Sequence, residues 1–418
     1  MIKKVIIEKS DRLQKLPPTP FVEAKRIKQG LMRRKVEVID LSELNPDPSL
    51  RDFFIPSIDS KEIFAPVNSD VWIELKTEIG KWLERRYDLK VKSEKEILPF
   101  FSEKKMIYHF LLGLLNPGEA VAVTDPCDPI YKRASILADA EVESLPLLER
   151  NDYLPNLGAL SPSQRRTKLR TSLLSGSKVS PKAGFPKILF LNYPHNPTTS
   201  LADSSFFQEV VRWAGEINVL VINDASGNEI CYDDYIPISL LQTRGARKLA
   251  VEKFSFFPST GIEFGFLVGG KGIVSGVESV EGVLKERVSK SSAHLALEIL
   301  KNYSQIAPKN NLEFTSRKEV LMKGLSDLGW KAKKPKAGPF VWVKIPPKYS
   351  SVGFARMLLR KTGVLVSPGF GFGEYGEGYI RIALNLPADQ IQKALARIEK
   401  HSHIWQRRYK PTKAMMDD

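Results

Sequence analysis

The sequence predicts an α/β fold in which helices cover both faces of a mostly parallel sheet. Short apolar runs recur along the middle of the chain, and several end at a polar residue. Segments with helical spacing of apolar residues alternate with them. Continuous apolar strands are typical of sheets that are buried on both faces. A chain of 418 residues is also too long for one small core, so we expect two domains.

The individual elements follow from the same patterns. Strands are predicted at residues 120–124, 188–191, 219–222, 264–268, 340–345 and 379–384. Helices are predicted at 70–88, 352–361 and 388–400, and a further helix opens at Ser205. There, Ser205 and Gln208 form the S-x-x-Q pattern of a capping box. Polar residues just past the strands, Asp125, Asn196 and Asp224, are the first candidates for ligand contacts in such a sheet.

The elements divide the chain into domains. Residues 1–67 form an N-terminal arm and part of a small domain, and residues 68–310 form the large domain. Residues 311–400 complete the small domain, which is therefore built from both chain ends, and 401–418 form a tail. Within the large domain, residues 164–187 are rich in Lys, Arg, Ser and Gly. This composition predicts a basic surface loop inserted between two elements.

Composition limits the class of protein. No apolar run reaches the roughly 18–20 residues that span a bilayer, so we expect no membrane association. Cys127 and Cys231 are far apart and fit no metal spacing, which favours a reducing, cytoplasmic setting. The formal net charge is +15. Because the basic residues are spread along the chain without a recognisable nucleic-acid motif, we do not expect a nucleic-acid partner.

One segment points to a known chemistry. Residues 251–270, VEKFSFFPSTGIEFGFLVGG, resemble the cofactor-lysine segment of class I/II aminotransferases, S-x-S-K-x-x-x-x-T-G-x-R-x-G-F-x-V-G. The matching positions are Thr260, Gly261, Gly265, Phe266, Val268 and Gly269. The lysine position falls on Ser255 and the arginine position on Glu263.

Five further blocks resemble the same family, in the family's order and spacing. They lie at residues 98–117, 123–131, 191–199, 222–233 and 367–384. The resemblance covers nearly the whole chain and is strongest to the aspartate and LL-diaminopimelate aminotransferase branch. It implies the fold type I pyridoxal-phosphate transferase fold, a pyridoxal phosphate cofactor, and an amino acid or 2-oxo acid as ligand. It also implies a homodimer with the active site at the subunit interface.

Three residues match family positions that contact the cofactor or the substrate. Asp224 matches the aspartate that keeps the pyridine nitrogen protonated, and Asn196 matches the asparagine that binds the ring oxygen. Arg381 matches the arginine that clamps a substrate carboxylate, a task suited to a guanidinium fork. The resemblance therefore implies Asn196 and Asp224 as cofactor ligands and Arg381 as the carboxylate ligand.

The catalytic lysine is missing from this pattern. A hydroxyl cannot form an imine, so Ser255 would remove both the covalent anchor and the general base. Lys253 lies on the same side of an extended segment, displaced by roughly 6.6 Å. We do not expect Lys253 to substitute, because such chemistry depends on positioning within about an ångström.

Other cofactor contacts are lost as well. The tyrosine for the ring oxygen is replaced by Gly227, and the stacking aromatic ring by Asp128. The phosphate-binding arginine is replaced by Glu263, and the tyrosine from the neighbouring subunit by Phe64. The glycine-containing phosphate loop is replaced by residues 102–106, SEKKM, which lack glycine. These losses predict a pocket that no longer binds pyridoxal phosphate productively.

Three hypotheses follow. The first is an aminotransferase-like pseudoenzyme with a degenerate cofactor site that retains carboxylate binding at Arg381. The second is a divergent but active pyridoxal-phosphate-dependent aminotransferase that uses Lys253 or another amine. The third is a non-enzymatic interaction protein that uses its basic surface and the loop at 164–187.

Overall fold

The chain is described from a computed structural model. The described residues are 8–17, 19–44, 65–160, 185–284 and 288–403. Phe64, residues 164–184 of the predicted basic loop and residues 404–418 of the predicted tail lie outside them.

Twelve strands occur within the described ranges. They are β1 Ile39–Asp40, β2 Ile97–Phe100, β3 Ala120–Asp125, β4 Glu141–Pro146, β5 Ile188–Asn192, β6 Leu220–Asp224, β7 Ala250–Ser255, β8 Gly265–Gly269, β9 Phe340–Lys344, β10 Val364–Leu365, β11 Ser367–Pro368 and β12 Tyr379–Ala383.

The α-helices of the same ranges connect and cover these strands. They are α1 Asp11–Gln14, α2 Pro20–Arg33, α3 Ser69–Tyr87, α4 Ser93–Glu96, α5 Glu103–Leu114, α6 Pro129–Leu137, α7 Ser204–Ile217, α8 Phe257–Thr260, α9 Lys271–Leu284, α10 Lys290–Lys301, α11 Tyr303–Asp327, α12 Ser351–Thr362 and α13 Ala388–Lys400.

A seven-stranded sheet forms the centre of the large domain, in the order β2-β8-β7-β6-β5-β3-β4. Strands β4, β3, β5, β6 and β7 pair in parallel, whereas β8 is antiparallel to both β7 and β2. The predicted α/β class with a mostly parallel sheet is therefore confirmed. Because parallel strands point the same way, the residues that follow β5, β6 and β7 meet at one edge of the sheet.

Apolar side chains from the central strands alternate between two cores, one on each face. On β5, Leu189 and Leu191 belong to one core, and Ile188 and Phe190 belong to the other. This is the period of two that a strand requires. Helices α3, α7 and α10 pack on the first core, and helices α5, α6 and α9 on the second. The sheet is thus buried on both faces, which explains why its strands are continuously apolar.

A third core unites the two ends of the chain. Strands β11, β12 and β9 form a three-stranded antiparallel sheet, and β1 pairs with β10. Their core includes Ile39 from the N-terminal part together with Phe354 of α12 and Ile398 of α13. The domain boundaries given above remain predictions. Among the described residues, no helix is long and apolar enough to cross a membrane.

The start of α7 differs from its prediction. The N-cap is Asp203, whose Oδ1 accepts hydrogen bonds from the Phe206 backbone N–H at 2.8 Å and from the Ser205 hydroxyl at 2.7 Å. The predicted capping box at Ser205 is therefore wrong. The Asp203 carboxylate precedes the helix and can accept from its first free backbone N–H groups, whereas Ser205 already lies within the first turn. The Ser205 hydroxyl instead donates to the Asp203 carboxylate.

Candidate functional site

The carboxyl ends of β5, β6 and β7 form one wall of a cavity of about 420 Å³, and the small domain forms another. Its lining includes Asp128, Asn196, Asp224, Gly227, Lys253 and Arg381. The structure thus brings together all the predicted ligand residues. Ser255 is buried but does not line the cavity.

Lys253 and Ser255 both belong to β7, and this strand was not predicted as such. Lys253 lies opposite Asp224 on the neighbouring parallel strand, and Ser255 lies opposite Gly265 of β8. The Ser255 hydroxyl accepts a hydrogen bond of 3.4 Å from the Phe257 backbone N–H at the start of α8. Lys253 is therefore the amine of this strand that faces the cavity. The assignment of Ser255 to the family's lysine position stays a prediction.

Asp224 is fully engaged by its neighbours. Its Oδ1 accepts hydrogen bonds from the Ser226 hydroxyl at 2.6 Å and the Ser226 backbone N–H at 3.0 Å. Its Oδ2 accepts a hydrogen bond from the Tyr131 hydroxyl and lies 2.8 Å from Lys253 Nζ. The same ammonium contacts the Glu103 carboxylate at the start of α5. One cation is therefore shared between two carboxylates.

Burial sets the protonation of this cluster. Only 1% of the Lys253 side chain is exposed, and burial lowers its pKa well below the usual value. Burial also raises the pKa of Asp224 to about 6, although hydrogen bonds from Ser226 and Tyr131 oppose the shift. Burial thus shifts the pKa values of Lys253 and Asp224 towards each other, and the two groups are in contact, so a proton can pass directly between them.

Arg381 is held rigidly at the other side of the cavity. It lies on β12, the central strand of the small sheet, and its guanidinium carbon lies 3.9 Å from the ring centroid of Phe340 and 4.5 Å from that of Phe372. Its terminal nitrogens donate to Asn196 Oδ1 at 2.7 Å and to the Ser42 carbonyl at 2.8 Å. Burial lowers the pKa of Arg381 to about 10, which leaves it charged at neutral pH.

Asn196 connects Arg381 to Asp128. Its Oδ1 accepts from the guanidinium, and its Nδ2 donates to Asp128 Oδ2 at 3.0 Å. The backbone N–H of Asn196 donates to Asn192 Oδ1 at 2.9 Å, so the amide is anchored to the end of β5. Asp128 also caps α6 by accepting from the Ile130 backbone N–H at 3.0 Å. The residue at the family's stacking position therefore has a local structural role.

The other altered positions have different surroundings. A side chain at Gly227 would place its Cβ 2.9 Å from Pro194 Cβ and 3.2 Å from the Pro194 carbonyl oxygen, so space for a tyrosine is absent at this backbone position. Glu263 is exposed and does not line the cavity. Residues 103–106 form the first turn of α5, from which Glu103 projects into the cavity.

This arrangement does not fit pyridoxal phosphate bound in the family's manner. In that mode the lysine and the aspartate lie on opposite sides of the pyridine ring. Ordinary covalent and hydrogen-bond lengths then place their polar atoms on the order of 7 Å apart. Here Lys253 Nζ and Asp224 Oδ2 are 2.8 Å apart, and no ring fits between them. Glu103 adds a second carboxylate to the cavity, and a negative charge disfavours an anionic ligand such as a phosphate group.

Comparison with known proteins agrees with the fold. The family model "Aminotransferase class I and II" matches residues 44–398. The chain is 34% identical to the LL-diaminopimelate aminotransferase of Maridesulfovibrio salexigens, over 94% of this chain and 98% of that protein. It is 32% identical to the enzyme of the same name from Dehalococcoides mccartyi, over 93% of this chain and 97% of that protein.

A solved structure gives the same result. The substrate-bound BacF structure from Bacillus subtilis superposes with a TM-score of 0.82 at 26% identity, covering 95% of this chain and 98% of that one. The fold and the placement of the cavity define a pyridoxal-phosphate transferase of fold type I. The chain belongs to the class I and II aminotransferase family, on the branch of the aspartate and LL-diaminopimelate aminotransferases.

Sequence reasoning missed three partners of Asp224 and Lys253. Tyr131 ends the predicted 123–131 block, but nothing in that block indicates a contact with Asp224. Ser226 follows Asp224 by two residues, which is the spacing of an Asx-turn and could have been recognised. Glu103 is 150 residues from Lys253 in the chain, and only the folded structure brings them together.

Proposed function

We propose that this protein retains the aminotransferase fold but does not hold pyridoxal phosphate as a lysine adduct, and that its cavity binds a small carboxylate at Arg381. The observation that carries the proposal is the 2.8 Å contact between Lys253 Nζ and Asp224 Oδ2, because it occupies the place of the pyridine ring. The Glu103 carboxylate and the close approach of Gly227 to Pro194 support it.

The cofactor part is tested with purified protein and added pyridoxal phosphate. We expect no absorbance band of a stable pyridoxal–lysine adduct, and no stoichiometric mass increase at a cavity lysine after borohydride reduction. Lys253→Met is the matched control, since weak labelling of surface lysines should be equal in both proteins. A stoichiometric adduct that maps to Lys253 and disappears in Lys253→Met contradicts the proposal.

The carboxylate part is tested by calorimetric titration with pyruvate and with its uncharged amide. Two N–H groups on the terminal nitrogens of Arg381 have no hydrogen-bond partner among the described residues, and they are the expected donors. Arg381→Leu should weaken pyruvate binding at least about tenfold, because it removes hydrogen bonds from a charged donor. Equal affinity for pyruvate and the amide in the wild type contradicts a carboxylate site at Arg381.

A second candidate is a divergent active aminotransferase with Lys253 as its reactive amine. The position of Lys253 in the same cavity as Asn196 and Arg381 favours it. It predicts transfer of an amino group from glutamate or aspartate to a 2-oxo acid in the presence of pyridoxal phosphate. Lys253→Ala should then abolish turnover, and absence of turnover by the wild type in a broad substrate screen would rule this candidate out.

We also propose that the protein is a homodimer, as is usual for the fold, in a reducing compartment. Family membership supports the assembly, and the two unpaired cysteines, Cys127 and Cys231, are compatible with the compartment. Light scattering on the eluting protein should give about twice the 47.1 kDa mass of the chain. A mass equal to that of one chain at micromolar concentration contradicts the dimer.

A further inference from the structure

We propose that Lys253 captures the carbonyl group of an oxo acid directly, as an imine, without any cofactor. The inference rests on the proposed function, since the oxo acid is the carboxylate ligand of Arg381, and it adds the chemical class of that ligand and a covalent step. Three features of the cavity lead to it: a buried amine, acids in contact with that amine, and a charged carboxylate anchor on the opposite wall.

The first feature is the amine. Only 1% of the Lys253 side chain is exposed, and yet Lys253 lines the cavity. Its nitrogen can therefore contact a small ligand that enters the cavity. Burial favours its uncharged form, which is the nucleophile of imine chemistry. By contrast, Ser255 lies two residues further along β7, away from the cavity wall, and has no amine.

The second feature is the pair of acids. Asp224 and Glu103 both contact Lys253 Nζ, and Asp224 is hydrogen-bonded by Tyr131 and Ser226, which fix its carboxylate. Asp224 can therefore accept the proton of the ammonium without changing position. Once an iminium ion has formed at Lys253, the same two carboxylates would hold its positive charge, as they hold the ammonium now.

The step is balanced in atoms and charge. Asp224 takes one proton from the ammonium, and the free amine of Lys253 attacks the carbonyl carbon to form a C–N bond. The π electron pair moves to the carbonyl oxygen, which takes a proton from Asp224. The nitrogen then gives a second proton to the carboxylate, which passes it to the new hydroxyl. Water leaves as the C=N bond forms, and the product is an iminium ion.

The third feature selects the ligand. Arg381 is held between Phe340 and Phe372 and is anchored by Asn196 and Ser42, so its free N–H groups have a fixed direction. A carboxylate bound there leaves the rest of the ligand within the cavity of about 420 Å³, the same cavity that Lys253 lines. A molecule with a carboxylate and a ketone or aldehyde group can bind Arg381 through the carboxylate and Lys253 through the carbonyl. The number of carbons between the two groups is set by the span from Arg381 to Lys253.

The experiment uses the full-length wild-type protein, sodium cyanoborohydride and a series of oxo acids of increasing length: pyruvate, acetoacetate, levulinate and 5-oxohexanoate. We expect at least one member to add one ligand per chain, seen as the mass of the oxo acid less one oxygen atom because water is lost before reduction, with the modified peptide containing Lys253. Lactate, which lacks the carbonyl, should add nothing. Butanone, which lacks the carboxylate, should label Lys253 at least about tenfold more slowly, because it cannot use the charged anchor.

Variants separate the roles and guard against misfolding. Lys253→Arg keeps the charge for Asp224 and Glu103 but cannot form an imine, and it should not be labelled at residue 253 or elsewhere in the cavity. Arg381→Leu should lower the labelling rate at Lys253 with the oxo acids at least about tenfold, towards the rate with butanone, because the charged anchor is removed. Thermal unfolding of each variant verifies that it is folded.

Three results would overturn the inference. The first is the absence of any oxo-acid adduct at Lys253 of the wild type. The second is wild-type labelling spread over surface lysines with none enriched at Lys253. The third is labelling at Lys253 that is equally fast with butanone and with every oxo acid. These outcomes are distinct from failure of the proposed function, which would appear as a reducible pyridoxal phosphate adduct or as pyruvate binding that does not depend on its charge. If the wild type forms neither a pyridoxal phosphate adduct nor an oxo-acid adduct, the imine step is contradicted but the proposed function is not.

Discussion

Lys253 Nζ lies 2.8 Å from Asp224 Oδ2, and the two residues are direct register partners on the parallel strands β7 and β6. Asp224 matches the family position that holds the protonated ring nitrogen, and in this chain a lysine of the same protein contacts that carboxylate. In this chain Asp224 is a partner of the kind that a buried ammonium requires.

Replacing Lys253 with methionine should destabilise the fold at neutral pH. The change leaves Asp224 buried without its cation, and we expect a loss in the free energy of unfolding on the order of 3 kcal/mol. Glu103 contributes little to this figure, because 39% of its side chain is exposed. Urea denaturation of the wild type and the variant measures the difference.

The matched control is the double variant Lys253→Met/Asp224→Asn. It removes the charge of both partners, so most of the lost stability should return. A double variant that is as unstable as, or less stable than, Lys253→Met would mean that packing around Lys253, rather than the ion pair, determines the loss.

Glu252 should make stability depend on pH. Its carboxyl group is buried among Asn223, Ser239 and the Leu240 backbone N–H, and burial raises its pKa from 4.5 to about 7. A raised folded-state pKa gives stability that is complete below pH 4.5 and is lost as the pH rises towards 7. We expect this group to lower the free energy of unfolding by about 3 kcal/mol across that interval.

The measurement is urea denaturation at several pH values for the wild type and for Glu252→Gln. The glutamine resembles the protonated acid in shape and hydrogen bonding, so the variant should lack this component of the pH dependence. The difference between the two curves isolates Glu252 from Asp224, which titrates nearby. Identical slopes for both proteins between pH 4.5 and 7 would show that Glu252 has an ordinary pKa.

Gly227 should not tolerate a side chain. An alanine Cβ there would lie 2.9 Å from Pro194 Cβ, so Gly227→Ala should cost about 1–3 kcal/mol of stability through overpacking. Gly272 in α9 is the control, because a Cβ at that position meets nothing within 4 Å. Gly272→Ala should leave the unfolding temperature unchanged or raise it slightly. Equal effects of the two substitutions would refute the close contact at Gly227.

The N-cap of α7 offers a fourth prediction. Asp203→Ala should cost about 1 kcal/mol, because it removes the acceptor for the Phe206 backbone N–H. Ser205→Ala should cost less, since the Ser205 hydroxyl only donates to the Asp203 carboxylate. Chemical denaturation of both variants compares them directly. A larger loss for Ser205→Ala would restore the capping box predicted from the sequence.

The central strands β3, β5 and β6, which the sequence predicted, are almost completely buried. They are apolar except for one or two polar residues at their ends, because helices cover both of their faces. β4 was missed because Glu141–Pro146 forms the edge of the sheet and is only partly buried, so its residues are mixed. β7 was missed because Glu252 and Lys253 interrupt its apolar run, although both are buried and paired.

The site was predictable in its residues but not in its contacts. Asp128, Asn196, Asp224 and Arg381 line one cavity, as motif positions suggested. The pairing of Lys253 with Asp224 could not be predicted, because it depends on the register between β6 and β7. A shift of that register by one residue would direct Lys253 to the opposite face of the sheet.

A crystal structure determined with excess pyridoxal phosphate tests most directly whether Lys253 and Asp224 remain in contact. The quantity to measure is the distance from Lys253 Nζ to Asp224 Oδ2. We predict that it remains within hydrogen-bond range, near 2.8 Å, with no ring between the two groups. A pyridine ring covalently joined to Lys253, with the two atoms on the order of 7 Å apart, would contradict the account.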